Sequence, residues 1–258
     1  EETRIDFIAN ISHELRTPLY GVVGITNMLS DEHKELADSP HLNSLKFSAR
    51  YLLSLVNDLL QINKIEENKV VLENLTMNIH DEINMVSNSL SFIANRNSNK
   101  VVTMIDESIP DYLVGDKLRL SQILMNLVSN ALKFTQNGEV RIKANLEKRE
   151  GTFCFVKFEV EDTGVGIAEK DLSKIFDKFV QIDRKEDDYQ GAGLGLSIVK
   201  KLVTIFKSEI FVESKEGKGT KFTFTIAFDS DMTKVNEIIN DIKVDLSKIG
   251  RASCRERV

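Results

Sequence analysis

One amphipathic pattern constrains this chain more than any other. With His13 at zero on a wheel of 100° per residue, Phe7, Ile8, Ile11, Leu15, Leu19, Val22 and Leu29 all fall between about 120° and 240°. Residues 1 to about 29 therefore read as one helix whose apolar stripe has to be covered. His13 lies opposite that stripe, which predicts an imidazole facing water, with the Glu14 carboxylate beside it and the Thr17 hydroxyl one turn on. Pro18 removes a backbone hydrogen bond and builds in a kink, a candidate hinge just past the histidine. Residues 30–41 are polar, carry Pro40 and read as a connection. From Leu42 to about Glu66, the positions Leu45, Ser48, Leu52, Leu55, Leu59 and Ile62 alternate spacings of three and four, the seam of coiled-coil-like packing. The resulting hairpin has more apolar face than two helices cover. Pairing with a second copy, as a homodimer, gives a four-helix bundle. By pattern alone the hairpin also fits a coiled-coil stalk without chemistry.

The 258 residues allow one large or two ordinary domains, and 41% hydrophobic content is enough for a sizeable core. No apolar run approaches bilayer-spanning length, so neither a transmembrane span, nor a signal peptide, nor membrane contact is expected of this stretch. Any membrane sensor is expected upstream of Glu1. A net charge of −6 without a long basic stripe argues against nucleic acid as a direct partner. Cys154 and Cys254, far apart, make no disulfide framework and fit a reducing, cytoplasmic setting. Residues 249–258 (IGRASCRERV) break abruptly into an arginine-rich string and read as a sequencing or cloning artefact following a chain truncated near Lys248.

From about Leu72 to Phe228 the pattern changes. Helical periodicity near 79–97 and 116–136 is followed by strand-like runs at 138–147 and 153–161. A helix near 194–207 and strand runs at 209–214 and 221–228 follow. Helices alternating with mostly antiparallel strands predict a layered α+β domain. Residues 230–248 are acidic, carry Val235, Ile238, Ile239 and Ile242 at helical spacing, and read as a linker helix. Asp116 is placed to N-cap the 116–136 helix. Leu120, Ile123, Leu124, Leu127, Val128 and Ala131 share one side of it, while Arg119, Gln122, Asn126, Asn130 and Lys133 form a polar row beside them. Amide oxygens at i and i+4 suit a hard cation such as Mg²⁺, and amide nitrogens suit phosphate oxygens.

Three glycine-bearing stretches follow. Asp162-Thr163-Gly164-Val165-Gly166-Ile167 ends a β-rich run, where Asp and Gly also commonly build turns. Gly191-Ala192-Gly193-Leu194-Gly195-Leu196 opens a helical pattern, and backbone N–H groups at a helix start favour phosphate. Gly217-Lys218-Gly219-Thr220 lies between two strand runs and fits a plain hairpin turn equally well.

His13-Glu14-Leu15-Arg16-Thr17-Pro18-Leu19 resembles the H-box of sensor histidine kinases, the phosphorylated helix of two-component signalling. The string from Asp116 to Thr135 resembles the N-box of the same family, and the three glycine stretches resemble its glycine boxes in order. Phe176 and Phe179 match the phenylalanine box, though by composition they are equally ordinary core. The resemblance covers roughly Ile5 to Phe228. It implies an all-α dimerisation and phosphotransfer hairpin at 1–68, then at 72–229 an α/β two-layer sandwich shared with gyrase, Hsp90 and MutL-type proteins. Such a piece fits within a hybrid kinase.

What the resemblance implies for function is specific. ATP and Mg²⁺ are the expected ligands. Asn126 coordinates Mg²⁺, and Asn130 and Lys133 lie near the phosphates. Asp162 accepts a hydrogen bond from the adenine amino group. Gly164, Gly166, Ile167, Phe179, Gly191, Gly193, Leu194, Gly195, Leu196 and Thr220 complete the nucleotide site. His13 is autophosphorylated with help from Glu14, the group passes to an aspartate of a response-regulator receiver domain, and Thr17 serves the reverse dephosphorylation. Some positions depart from the family pattern. Asp187 and Asp188 stand where basic residues are frequent in a lid at about 180–192, leaving Arg184 or Lys185 to substitute. Gln190 replaces a frequent glycine, and the helix ending at Lys207-Ser208 lacks the usual glycine C-cap. Two other classes of function compete: a scaffold that binds nucleotide without transferring phosphate, and an ATP-driven clamp.

Overall fold

A computed structural model describes residues 2–33, 39, 41–42, 45–46, 48–49, 52–53, 56–57, 71–180 and 193–230, with side-chain detail from Glu14 onward. The expected lid after Val180, the linker helix after Ser230 and the 249–258 segment lie outside the described residues. So do Arg184, Lys185, Asp187, Asp188, Gln190 and Gly191. The chain divides into two compact units, 1–71 with 174–198 and 72–173 with 199–258.

In the first unit α1 (Glu2–Glu32) is a single helix with Pro18 inside it. It runs past the expected end near residue 29. The apolar periodicity stops at polar Ser30-Asp31-Glu32 before the backbone bonding does, and His33 N still donates to Leu29 O at 3.1 Å. Helical residues between 41 and 57 return antiparallel to α1: Arg16 Nη2 donates to Asn57 Oδ1 at 3.1 Å, and Lys46 Nζ donates to Ser30 Oγ. Thr26, Ala49, Leu53 and Val56 are buried. The seam expected at Leu45, Ser48 and Leu52 is a different face. Leu45 and Leu52 remain 49% and 45% exposed, and Leu15, Ile25 and Met28 on α1 are also open. Ala49, Leu53 and Val56 keep the same three-and-four spacing one residue out of phase. The returning helix therefore has two adjoining apolar faces, of which the one with Leu45 and Leu52 stays open.

In the second unit the chain runs β1 (Leu75–Met77), α2 (Ile79–Ser89), α3 (Ser91–Arg96), β2 (Lys100–Ile105), β3 (Leu113–Gly115) and α4 (Lys117–Lys133). Then come β4 (Glu139–Glu150), β5 (Phe153–Asp162), a 3₁₀ turn at Glu169–Asp171, α5 (Gly195–Ile205, begun in the first unit), β6 (Ile210–Lys215) and β7 (Gly219–Asp229). The sheet order is β1-β3-β7-β5-β4-β2, with β6 also on β7. Every pairing is antiparallel except β2 on β4. The helices expected near 79–97, 116–136 and 194–207 are present, the first broken at Leu90 into α2 and α3, and so are the four expected strand runs. β1, β2 and β3 were not anticipated: β1 and β3 are three residues each, too short to show a period, and β2 is an edge strand held by its parallel partner.

Burial alternates along β5, most of β7 and the first half of β4, as far as Ala144, as a one-sided sheet requires. Val140, Ile142, Val156, Phe158, Val160, Phe224 and Phe228 point inward with Ile79 and Ile83 of α2, the apolar side of α4, and Leu202 and Val203 of α5. Phe158 stacks on Phe224 at 5.2 Å and meets Phe228 edge-on at 6.3 Å. The opposite sheet face is a self-neutralising charge ladder in which Lys143 lies 3.0 Å from Glu161 and 3.8 Å from Glu159, and Lys157 lies 3.2 Å from Glu159. Lys207 supplies the missing C-cap: it takes φ +56° after α5, and Ser208 N donates to Val203 O at 3.1 Å.

Candidate functional site

The polar row on α4 starts from a buried cap. Asp116, 3% exposed, accepts from Arg119 N at 2.9 Å through Oδ1 and from Glu73 N at 3.0 Å through Oδ2. Leu120, Ile123, Leu124, Leu127 and Val128 are fully buried, so the rotation of α4 is fixed and the row beside them is half-exposed. Arg119 Nη1 donates to Gln122 Oε1 at 2.9 Å. Asn126 Nδ2 donates back to Gln122 O at 3.0 Å, which leaves Oδ1 as the acceptor Asn126 presents. Asn126 also lines a shallow depression with Leu118, Ser121, Gln122, Met125 and Ser129. Asn130 and Lys133 follow along the row. Burial holds the Lys133 ammonium below its ordinary pKa, and its Nζ lies 5.1 Å from the Phe134 ring centroid. Among the described residues no group of three or more His, Cys, Asp or Glu side chains is placed to hold a metal ion. The neutral amide oxygen of Asn126 is a ligand type that would suit Mg²⁺ sharing its remaining positions with phosphate and water.

Asp162 ends β5 and is buried, its Oδ1 accepting from Gly164 N at 2.8 Å. Around it the glycines are dictated by contact. A Cβ on Gly164 would lie 2.3 Å from Phe134 O, 2.7 Å from Thr135 Oγ1 and 2.9 Å from Asp162 Oδ1. Gly166, at φ +68°, packs on the Lys215 carbonyl, and Gly219, at φ +106°, packs on the Asp162 carbonyl. Register pairs Asp162 with Thr220 across β5 and β7. Ser214 Oγ lies 2.8 Å from Thr220 Oγ1 and accepts from Ile167 N at 2.8 Å. The first and third glycine stretches thus form one structure: Gly217 is a plain turn glycine in open space, while Gly219 is a close-approach glycine against Asp162. Ser214 gave no signal in sequence. Thr135 gave a weak one, a small polar residue closing an amphipathic helix.

In the other unit, Gly193 takes φ +67° and its carbonyl accepts from Phe179 N at 2.9 Å. Phe179 itself takes φ +61° and is 61% exposed, which excludes ordinary core, whereas Phe176 is half-buried. Leu194 is buried, and its carbonyl accepts from Ile198 N and Ser197 Oγ as α5 begins at Gly195 and Leu196. His13, Glu14 and Thr17 lie on α1. Glu14 and Thr17 are exposed, and the His13 side chain lies outside the described residues. No helix among the described residues is long and apolar enough to cross a membrane.

Two family models match the chain: the His Kinase A (phospho-acceptor) domain over residues 3–68, and the histidine kinase-, DNA gyrase B-, and HSP90-like ATPase over residues 115–230. Hybrid signal transduction histidine kinase B of Dictyostelium discoideum is 37% identical over 87% of this chain and 12% of its own length. Signal transduction histidine-protein kinase BarA of Escherichia coli (strain K12) is 36% identical over 87% and 24%. The chain therefore spans a quarter or less of these relatives. The crystal structure of full-length ShkA in complex with AMPPNP matches with a TM-score of 0.71 at 32% identity, covering 87% of this chain and 46% of that one. Acinetobacter baumannii histidine kinase AdeS shares the fold, with a TM-score of 0.55 at 21% identity over 85% and 98%.

Proposed function

The chain belongs to the sensor histidine kinases, and on that premise we propose that it is an ATP-dependent protein histidine kinase module within a longer hybrid kinase. Residues 1–68 act as the dimerisation and phosphotransfer hairpin, 72–229 as the ATP-binding catalytic domain and 230–248 as a linker. The observation that carries this reading is the pinned Asp162 carboxylate. A buried acceptor held by Gly164 N and a collar of packed glycines suits an exocyclic amine, which distinguishes adenine from guanine.

ATP is the substrate. Asp162 takes the base, with Thr220, Gly164, Gly166 and Ile167 around it, and Phe179 is assigned to the nucleotide by the family resemblance alone. Asn126 would hold Mg²⁺ through Oδ1, with Asn130 and Lys133 toward the phosphates. Bound Mg²⁺ would neutralise charge on the phosphate chain. Backbone N–H groups from Gly191 through Leu196, including Gly193, Leu194 and Gly195, suit phosphate oxygens where α5 starts. Glu14 accepts a hydrogen bond from one His13 ring nitrogen, and the other nitrogen's lone pair attacks the γ-phosphorus in line. The bond from that phosphorus to the β–γ bridging oxygen breaks, and ADP leaves. Positioning and charge neutralisation supply most of the rate. Phosphohistidine then passes its phosphoryl group to an aspartate of a response-regulator receiver domain, and Thr17 orients water for the reverse duty on that regulator. The open Leu15, Ile25, Met28, Leu45 and Leu52 side chains support pairing with a second copy. Incubation with γ-labelled ATP should leave acid-labile label on the wild type and none on His13→Ala. Label persisting in the variant rejects the site.

A further inference from the structure

Two asparagines precede β2, and their amides reach into the end of α4. Asn97 and Asn99 are each 8% exposed, and Ser98 between them takes φ +52°. Asn97 Nδ2 donates to Leu132 O at 2.8 Å, which helps close the helix end. Asn99 does more. Its Nδ2 donates to Leu132 O at 3.0 Å and to Thr135 O at 2.7 Å, and its Oδ1 accepts from Gly138 N at 3.1 Å. One amide therefore spans the turn from Leu132 to Gly138.

That turn forms a wall of the Asp162 loop. Phe134 O accepts from Val165 N at 3.2 Å, and Thr163 Oγ1 accepts from Glu139 N at 2.9 Å. A Cβ on Gly138 would lie 2.5 Å from both Thr135 Cγ2 and Thr163 Oγ1. Thr135 is fully buried, and its hydroxyl has no hydrogen-bond partner among the described residues. The hydroxyl lies on the Gly164 side, beside the Asp162 carboxylate. A buried hydroxyl without a protein partner costs stability unless something else uses it.

We propose that Asn99 is a positioning residue for the nucleotide site, holding the Thr135 turn against the Asp162 loop. The proposal rests on the adenine-nucleotide reading above. Asn97 provides the comparison: its side chain bonds the same Leu132 carbonyl, while its link to the far side of the turn, Asn137 N to Asn97 O at 3.0 Å, is made by backbone that a side-chain substitution leaves in place. ADP affinity is measured by calorimetry well below the melting temperature, alongside thermal melts. Asn99→Ala should weaken ADP about tenfold. Asn97→Ala should lower the melting temperature comparably and leave ADP affinity within about twofold of wild type. Asn99→Asp keeps the acceptor for Gly138 N but loses both donors, should weaken ADP in the same direction, and carries the test if the alanine variant unfolds. Wild-type affinity in the folded Asn99 variants overturns the proposal. Equal losses from Asn97 and Asn99 also overturn it, marking both as structural. If the wild type itself fails to bind ADP, the adenine reading falls first.

Discussion

The two ends of the nucleotide-binding unit are built in opposite ways. At the Asp162 end the carboxylate, three glycines and a strand pairing fix one another through backbone contacts, so nearly every atom is determined by a neighbour. Along α4 the polar row stands half-exposed on a rigid apolar base, with Asn126 tied back to its own helix and Arg119 to Gln122. The first arrangement suits a rigid planar base that must be discriminated by one acceptor. The second suits a flexible polyphosphate and a cation, whose geometry the side chains can follow. Fixed dipoles favour selectivity, whereas adjustable ones accommodate change during transfer.

Substitutions test that contrast, beginning with the packed end. Gly219→Val places a side chain where even a Cβ would lie 1.9 Å from the Asp162 carbonyl oxygen, at φ +106°. It should cost about 4 kcal/mol or more in urea unfolding and abolish adenine-nucleotide binding with it. An unshifted midpoint would mean this end has slack, and the contrast would fail. At the other end Asn126→Ala removes one hydrogen bond from a half-exposed site. Autophosphorylation should fall by about a hundredfold or more while stability changes by about 1 kcal/mol or less. Joint loss of stability and activity would place Asn126 in the scaffold instead.

Lys133 sharpens the comparison through pH. Burial lowers its folded-state pKa below the unfolded value, so the charged form is penalised at neutral pH. That penalty fades as pH rises through the folded pKa towards the unfolded value, and stability gains accordingly. Polyphosphate beside the ammonium should raise the pKa again. ADP binding in alkaline buffer should therefore take up a fraction of a proton, read by calorimetry in two buffers of different ionisation enthalpy. Lys133→Met should lose that uptake; identical uptake in both proteins would assign it elsewhere. The smallest effect is expected from Lys207→Gly, at neither end. It relieves a left-handed lysine and should add about 0.5–1 kcal/mol to stability with nucleotide affinity unchanged, which a melt and a titration check together.

Much of this was legible in order along the chain. The cap at Asp116, the buried and polar sides of α4 and the alternation of β4 and β5 follow from local periodicity, because each residue's side is set by its neighbours on the same element. The hairpin shows where that logic stops. Spacings of three and four identified apolar faces, but phase alone did not say that Ala49, Leu53 and Val56 are buried within the chain while Leu45 and Leu52 stay open. Strands β1 and β3 were too short to announce themselves, and β2 took its pairing from β4.

The amino-acid order by itself determined which residue types were available and in what local sequence: a histidine opposite an apolar stripe, amides one turn apart, an aspartate followed by glycines. Only the tertiary structure decided that Gly219 exists to admit the Asp162 carbonyl, that Ser214 joins Thr220 to Ile167, and that Asn99 spans the Thr135 turn. Those contacts join residues far apart along the chain. Their distances are set by how the sheet pairs and the helices pack, and no periodicity within one segment encodes them.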